Sequence, residues 1–204
     1  MYLDYSRILQ LIFPLSEDEK LLRNIPMDTL QNKVRSSVHA TPHILLQYSD
    51  AQVRAAIHLS KFNGSKKAQM LLATAVAHHL HSITTASVLI PIPLSPTRER
   101  ARGYNQVTQV LKQAIANDSI HRLDKNILQR IRNTEPQTSL KREERLENLA
   151  GAFSVTHSAT HKDHSSLHFV LIDDVLTTGS TLKEAEAILK SLSPASITCM
   201  AFAH

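Results

Sequence analysis

At 204 residues the chain is long enough for one α/β domain with an appended helical region and too short for two independent enzymes. Its formal charge of +5 and pI near 9.4 suit an anionic partner, leaving phosphorylated metabolites and a nucleic-acid backbone both open. The single cysteine, Cys199, excludes an internal disulfide framework and a cysteine-based zinc site, no apolar stretch reaches the roughly 18 residues that span a bilayer, and residues 1–14 lack an export signal, so a cytoplasmic protein without a membrane span is expected.

In chain order, residues 1–48 mix short apolar groups with Pro14, Pro26 and Pro42 and read as short helices and connections. From Asp50 the pattern sharpens. Val53, Ala56 and Ile57 share one helical face; a break at Phe62, Asn63 and Gly64 follows; then Ala68, Leu71, Leu72, Ala75 and Val76 recur at helical spacing, predicting a helical hairpin. After Thr85 the period changes. Residues 86–92 are an apolar, β-branched run ended by Pro91 and Pro93, the pattern of a buried strand entering a loop. Val107, Val110, Leu111, Ala114 and Ile115 then form a helical stripe, and residues 126–131 read as a second strand.

Residues 132–148 are polar and densely charged, which predicts a mobile loop ending in a short helix. Short strands are expected at 152–155, 167–172 and 196–202, with a helix at 180–192. His157, His161, His164 and His168 lie among serine and lysine and read as a polar connection rather than a metal site. Strands alternating with helices imply an α/β fold, a mainly parallel twisted sheet flanked by helices. Residues 86–204 would form that core, and residues 1–85 a helical N-terminal region.

The segment carrying most chemistry runs from Phe169 to Leu182. An apolar strand delivers Asp173 and Asp174 to its C-terminal end, where open α/β sheets place their ligands. The turn Val175, Leu176, Thr177, Thr178, Gly179, Ser180 and Thr181 then opens a helix. Backbone N–H groups and the positive dipole end there suit a phosphate, and the hydroxyls add short donors. Two carboxylates would repel a phosphate, so they are expected to accept hydrogen bonds from sugar hydroxyls or to face a metal that offsets their charge. Sugar and phosphate together are the implied ligand. A nucleoside triphosphate loop is excluded by the absence of a Gly-x-x-x-x-Gly-Lys-Ser/Thr run.

This segment resembles the phosphoribosyl pyrophosphate signature of type I phosphoribosyltransferases. The resemblance implies that Asp173 and Asp174 contact ribose hydroxyls and that residues 175–181 hold the 5-phosphate. Three more stretches resemble the ComF family of competence-associated phosphoribosyltransferase-like proteins: Arg98 to Gln106 with its Arg-Gly-aromatic-Asn-Gln ending; Thr134, Pro136, Gln137, Arg145, Asn148, Gly151, Ala152 and Phe153; and the turn Lys61, Phe62, Asn63, Gly64. The likeness covers residues 50–204.

It implies a phosphoribosyl pyrophosphate or ribose 5-phosphate ligand with Mg²⁺ carried by the pyrophosphate, Asp173 being the one candidate protein contact to the metal. Leu94, Ser95, Arg98 and Arg102 would hold the pyrophosphate, and Lys141, Arg142 and Arg145 would close over the leaving group, Arg145 joining Asp173 and Asp174 as a candidate catalytic residue. Residues 1–85 would supply the hood over the acceptor. ComF proteins commonly begin with a cysteine-rich zinc module. No cysteine precedes Cys199, so zinc is not expected here. Transfer to a nitrogen acceptor is one expectation. A non-catalytic ligand sensor or partner of a DNA-processing protein in DNA uptake is the other, and self-association is left open.

Overall fold

The computed structural model describes residues 15–35, 42–132 and 151–204. Helix α1 (Glu17–Arg23) starts at a capping box in which Ser16 and Glu19 satisfy each other's backbone N–H groups. Strand β1 (His43–Leu46) leads to the expected hairpin, α2 (Ala51–Phe62) and α3 (Lys66–Leu80). Strand β2 (Ser87–Pro91) is followed by α4 (Pro96–Arg102), α5 (Gln106–Ala114), β3 (Arg122–Leu123) and β4 (Leu128–Arg130). The remainder comprises β5 (Phe153–Val155), α6 (His157–Thr160), β6 (His168–Val175), α7 (Ser180–Leu189) and β7 (Ser196–Ala203).

Five strands form one parallel sheet in the order β1-β7-β6-β2-β3. Both faces are covered, which explains why the central strands read as unbroken apolar runs. Because side chains alternate across a strand, Val170 and Ile172 of β6 join Leu89, Met200 and Phe202 against α2, α3 and α5. Phe169 and Leu171 instead join Val88, Ile90 and Cys199 against α7 and the β4–β5 pair.

Three differences from the sequence expectations stand out. Residues 43–46, within the stretch read as helices and connections, form β1 and pair with β7, so part of the N-terminal region lies in the main sheet. The expected strands near 126–131 and 152–155 exist as β4 and β5, but they pair antiparallel with each other. The free edge of β2 is instead taken by β3, a two-residue strand too short to show any periodicity. The arginine-rich loop after β2 contains α4, started by Ser95 as N-cap with Pro96 in the first turn.

Beneath β1, His43 Nδ1 lies 3.2 Å from His79 Nε2 of α3, the rings meeting edge to face. His79 is buried, and burial first, then the neighbouring His43 and His78, lower its pKa to about 4. No described helix is long and apolar enough to cross a membrane.

Candidate functional site

Strand β6 runs three residues beyond the expected end at 172, so both aspartates are strand residues. The two-residue period therefore sends them to opposite faces of the sheet. Asp174 follows Val170 and Ile172 towards the α2–α3–α5 side, while Asp173 follows Phe169 and Leu171 towards α7 and β4.

On its side Asp174 is enclosed and well supplied with donors. It is 7% exposed. Its Oδ2 accepts from Gln106 Nε2 at 2.6 Å and lies 3.2 Å from Lys61 Nζ, while Oδ1 accepts from the Val175 N–H at 2.8 Å. Arg102 Nη1 donates to Gln106 Oε1 at 2.5 Å, so the carboxylate, amide and guanidinium form one chain of charge-assisted bonds. Lys61 comes from the end of α2, Arg102 from the end of α4 and Gln106 from the start of α5. These are two of the motifs that resemble ComF, and the fold locks them together a second way: Tyr104 Oη donates to the Ser60 carbonyl at 2.7 Å.

Asp173 has fewer partners. Its Oδ1 accepts the Asp174 N–H at 2.9 Å, and although the strand aims the two carboxylates at opposite faces, they stay close enough at its end to share a side-chain hydrogen bond. Burial, then repulsion from the Asp174 carboxylate, push its pKa well above the ordinary carboxylate range, against a smaller opposing pull from the Asp174 N–H and from Lys61. Arg130 at the end of β4 is close enough to feel the charges of Asp173 and Arg98, and its guanidinium packs over the Phe153 ring.

The β2–α4 connection leaves the sheet beside β6, as expected: the Ile92 N–H donates to the Ile172 carbonyl at 2.8 Å. Asn105 holds that connection, donating from Nδ2 to the Ile92 carbonyl while its Oδ1 caps α5. Leu94 is half-buried. The Ser95 hydroxyl is buried as the α4 cap, and Arg98 and Arg102 are half-buried on α4. A cavity of about 660 Å³ opens beside the connection, lined by Leu94, Tyr104, Asn105, Lys112 and Arg130 among others.

At the end of β6 and in the turn after it, several of the amides are used internally, that of Ser180 reaching the Thr178 hydroxyl at 3.4 Å. The Val175 N–H serves Asp174, and the Leu176 N–H donates to the Ala203 carbonyl at 2.8 Å. Thr177 and Thr178 are exposed; the Thr178 and Ser180 hydroxyls are 2.8 Å apart, and Thr181 is half-buried at the start of α7. Gly179 is the N-cap with φ of +75°, a left-handed conformation that strains any side-chain-bearing residue. Gly179→Ala is expected to cost about 1–2 kcal/mol through that strain. Urea unfolding checks it; an unchanged midpoint would mean the turn relaxes freely.

Arg145, Lys141, Arg142 and the Thr-Glu-Pro-Gln stretch lie outside the described residues, as does most of the expected loop 132–148. The residues that sequence reasoning passed over are Lys61 and Gln106, quoted only as parts of motifs, and Arg130. Strand parity was the available signal for the first two: counting in twos from Val170 puts Asp174 on the face the α2–α3 hairpin covers.

The chain matches competence protein F of Haemophilus influenzae at 35% identity over 123 residues, 60% of this chain and 52% of the relative. It matches competence protein ComFC of Bacillus subtilis at 35% over 112 residues, 54% and 42% of the two chains. The DNA utilization protein YhgH of Escherichia coli K12 matches at 31% over 139 residues, 65% and 59%. The chain thus spans about half the length of these curated relatives. No family model matches the chain. Among solved structures, a hypoxanthine phosphoribosyltransferase of Staphylococcus aureus aligns at TM-score 0.37 and 15% identity over 64% of this chain and 59% of that one. The hypoxanthine-guanine enzyme of L. donovani aligns at TM-score 0.38 and 12% identity over 79% and 71%. The α/β assignment rests on the sheet itself, and the relationship rests on sequence: over about half of their length the chain is similar to proteins named for competence and DNA utilization.

Proposed function

We propose that this chain binds a phosphoribosyl group, as ribose 5-phosphate or phosphoribosyl pyrophosphate, at the end of β6. The observation that carries this reading is the pairing of an acceptor with a donor-rich turn. Asp173, with few internal partners, lies near the end of an apolar strand that is followed by the hydroxyl-bearing residues Thr177, Thr178, Ser180 and Thr181 at the α7 N-terminus. Arg102 feels the charge of Asp174 and Arg130 that of Asp173, with Arg98 near both arginines, a set of positive charges that suits the further charge of a pyrophosphate. Arg145 is proposed from its motif alone as another contact to that group.

Asp174 has little room for a directly held metal. Its Oδ2 is shared by Gln106 and Lys61 and its Oδ1 accepts the Val175 N–H, and no group of three or more His, Cys, Asp or Glu side chains among the described residues is disposed to hold a metal ion. Mg²⁺ is therefore assigned to the ligand's own pyrophosphate oxygens.

In the transfer we propose, the lone pair of an acceptor nitrogen forms a bond to the ribose anomeric carbon as the bond to pyrophosphate breaks, and the acceptor's proton passes to solvent. Negative charge collects on the leaving group, so the arginines serve as fixed electrostatic partners. A second reading draws on the relatives' names, which speak of competence and DNA utilization: ligand binding would then report to a DNA-processing partner without turnover.

Calorimetry with either ligand is expected to give a Kd between micromolar and millimolar, about 4–8 kcal/mol. Absence of heat and of any thermal shift at millimolar ligand would remove the site. Pyrophosphate release on adding purine, pyrimidine or amine acceptors separates transfer from sensing.

A further inference from the structure

We infer that Lys61 takes the place of a metal ion at the carboxylate pair, so that a ribose 5-phosphate group binds here without any divalent cation. This rests on the phosphoribosyl reading above and specifies its metal requirement. Two adjacent carboxylates beside a phosphate need a compensating positive charge, and the fold supplies one from within. The Lys61 ammonium is 3.2 Å from Asp174 Oδ2 and two-thirds buried, held at the last turn of α2. Its charge reaches Asp173 as well.

Both oxygens of Asp174 are already engaged by donors. Gln106 Nε2 shares the same oxygen at 2.6 Å, and the Val175 N–H occupies the other. A cation such as Mg²⁺ demands about six oxygen ligands near 2.1 Å, and the three donors around Asp174 point their hydrogens at the oxygens it would need. Arg102 stands behind Gln106, so the cationic side of the arrangement is two residues deep. The backbone from which Lys61 projects is held in place: the carbonyls of Ser60 and Lys61 both lie within reach of Tyr104 Oη, at 2.7 and 3.3 Å, which anchors the end of α2 to the α4–α5 connection.

The consequence separates two ligands that share a ribose phosphate. Ribose 5-phosphate carries no pyrophosphate and should be indifferent to divalent ions. Phosphoribosyl pyrophosphate brings two further phosphates and should bind more tightly with Mg²⁺ because the metal neutralises the ligand, not the protein.

The test is calorimetric titration of both ligands in EDTA and in Mg²⁺, using wild type, Lys61→Arg and Lys61→Met, with circular dichroism to confirm folding. For wild type and Lys61→Arg, ribose 5-phosphate affinity is expected to agree within about twofold between the two conditions, while phosphoribosyl pyrophosphate gains about tenfold with Mg²⁺. Lys61→Met is expected to lose about tenfold for ribose 5-phosphate in EDTA, with Mg²⁺ recovering part of it. Loss of about tenfold by wild type on chelation alone overturns the inference and leaves the phosphoribosyl reading standing, as does undiminished binding by a folded Lys61→Met in EDTA. Should Lys61→Met not fold, the wild-type and Lys61→Arg comparison decides. Binding of neither ligand to wild type under either condition overturns the phosphoribosyl reading itself, and this inference with it.

Discussion

Asp174→Ala is expected to lower the unfolding free energy by about 2 kcal/mol, because it leaves the buried Gln106 Nε2 and the Lys61 ammonium without their shared acceptor. The loss stays near the lower end for a broken ion pair because Lys61 is one-third exposed and water screens it. Its neighbour behaves oppositely. Asp173 has a folded-state pKa raised above its unfolded value, so its contribution to stability is present at acid pH and is lost as pH rises through the folded pKa. Asp173→Asn removes that loss and should match or exceed wild-type stability at pH 8, while ribose 5-phosphate binding falls about tenfold. Urea unfolding with calorimetry on both variants decides: equal destabilisation by the two substitutions would contradict the division of the pair between the two faces of the sheet.

Acidification should cost the protein about 3 kcal/mol through His79 alone. Burial holds its pKa at about 4 in the folded state against the 6.5 of an ordinary imidazole. Between those values the unfolded chain takes up a proton that the folded one refuses, so stability is present above the unfolded pKa and lost as pH falls towards the folded one. His43, 3.2 Å away, is shifted in the same direction by burial, and His78 adds a third imidazole nearby. The check is urea unfolding of wild type and His79→Gln at pH 7.5 and 4.5. The variant should lose much less on acidification, since other acid-sensitive groups are common to both proteins; parallel losses would show that His79 accepts its proton without penalty.

The sequence made β6 and its loop readable because an apolar run, two carboxylates and a hydroxyl-rich turn each leave a local mark. Helices α2, α3 and α5 were readable for the same kind of reason: Val53, Ala56 and Ile57, or Val107, Val110 and Leu111, repeat at helical spacing. β1 and β3 left no such mark. Four and two residues show neither period, and their pairing with β7 and β2 comes from distant partners. The roles of Lys61 and Gln106 were hidden for a different reason. Their motifs were visible, but the contact with Asp174 depends on which face of β6 each aspartate occupies, and that needed the strand to continue to Val175 rather than stop at Ile172. Arg130 lies on a strand for which the sequence named no pairing partner, so nothing local pointed from it towards Asp173.

The sheet order places β7 between β1 and β6, and among the described strands β1 has no other partner. During synthesis β1 and the helical hairpin emerge early, yet β1 cannot be hydrogen-bonded into the sheet until β7 has left the ribosome. The loop closure needed for that pairing spans most of the chain, which makes it costly in entropy and slow compared with forming α2 and α3. The turn carrying the hydroxyls is tied to the same event, since the Leu176 N–H donates to Ala203 and the Leu176 carbonyl accepts from His204. Ligand-binding competence should therefore appear in refolding with the last kinetic phase, after helical structure has formed.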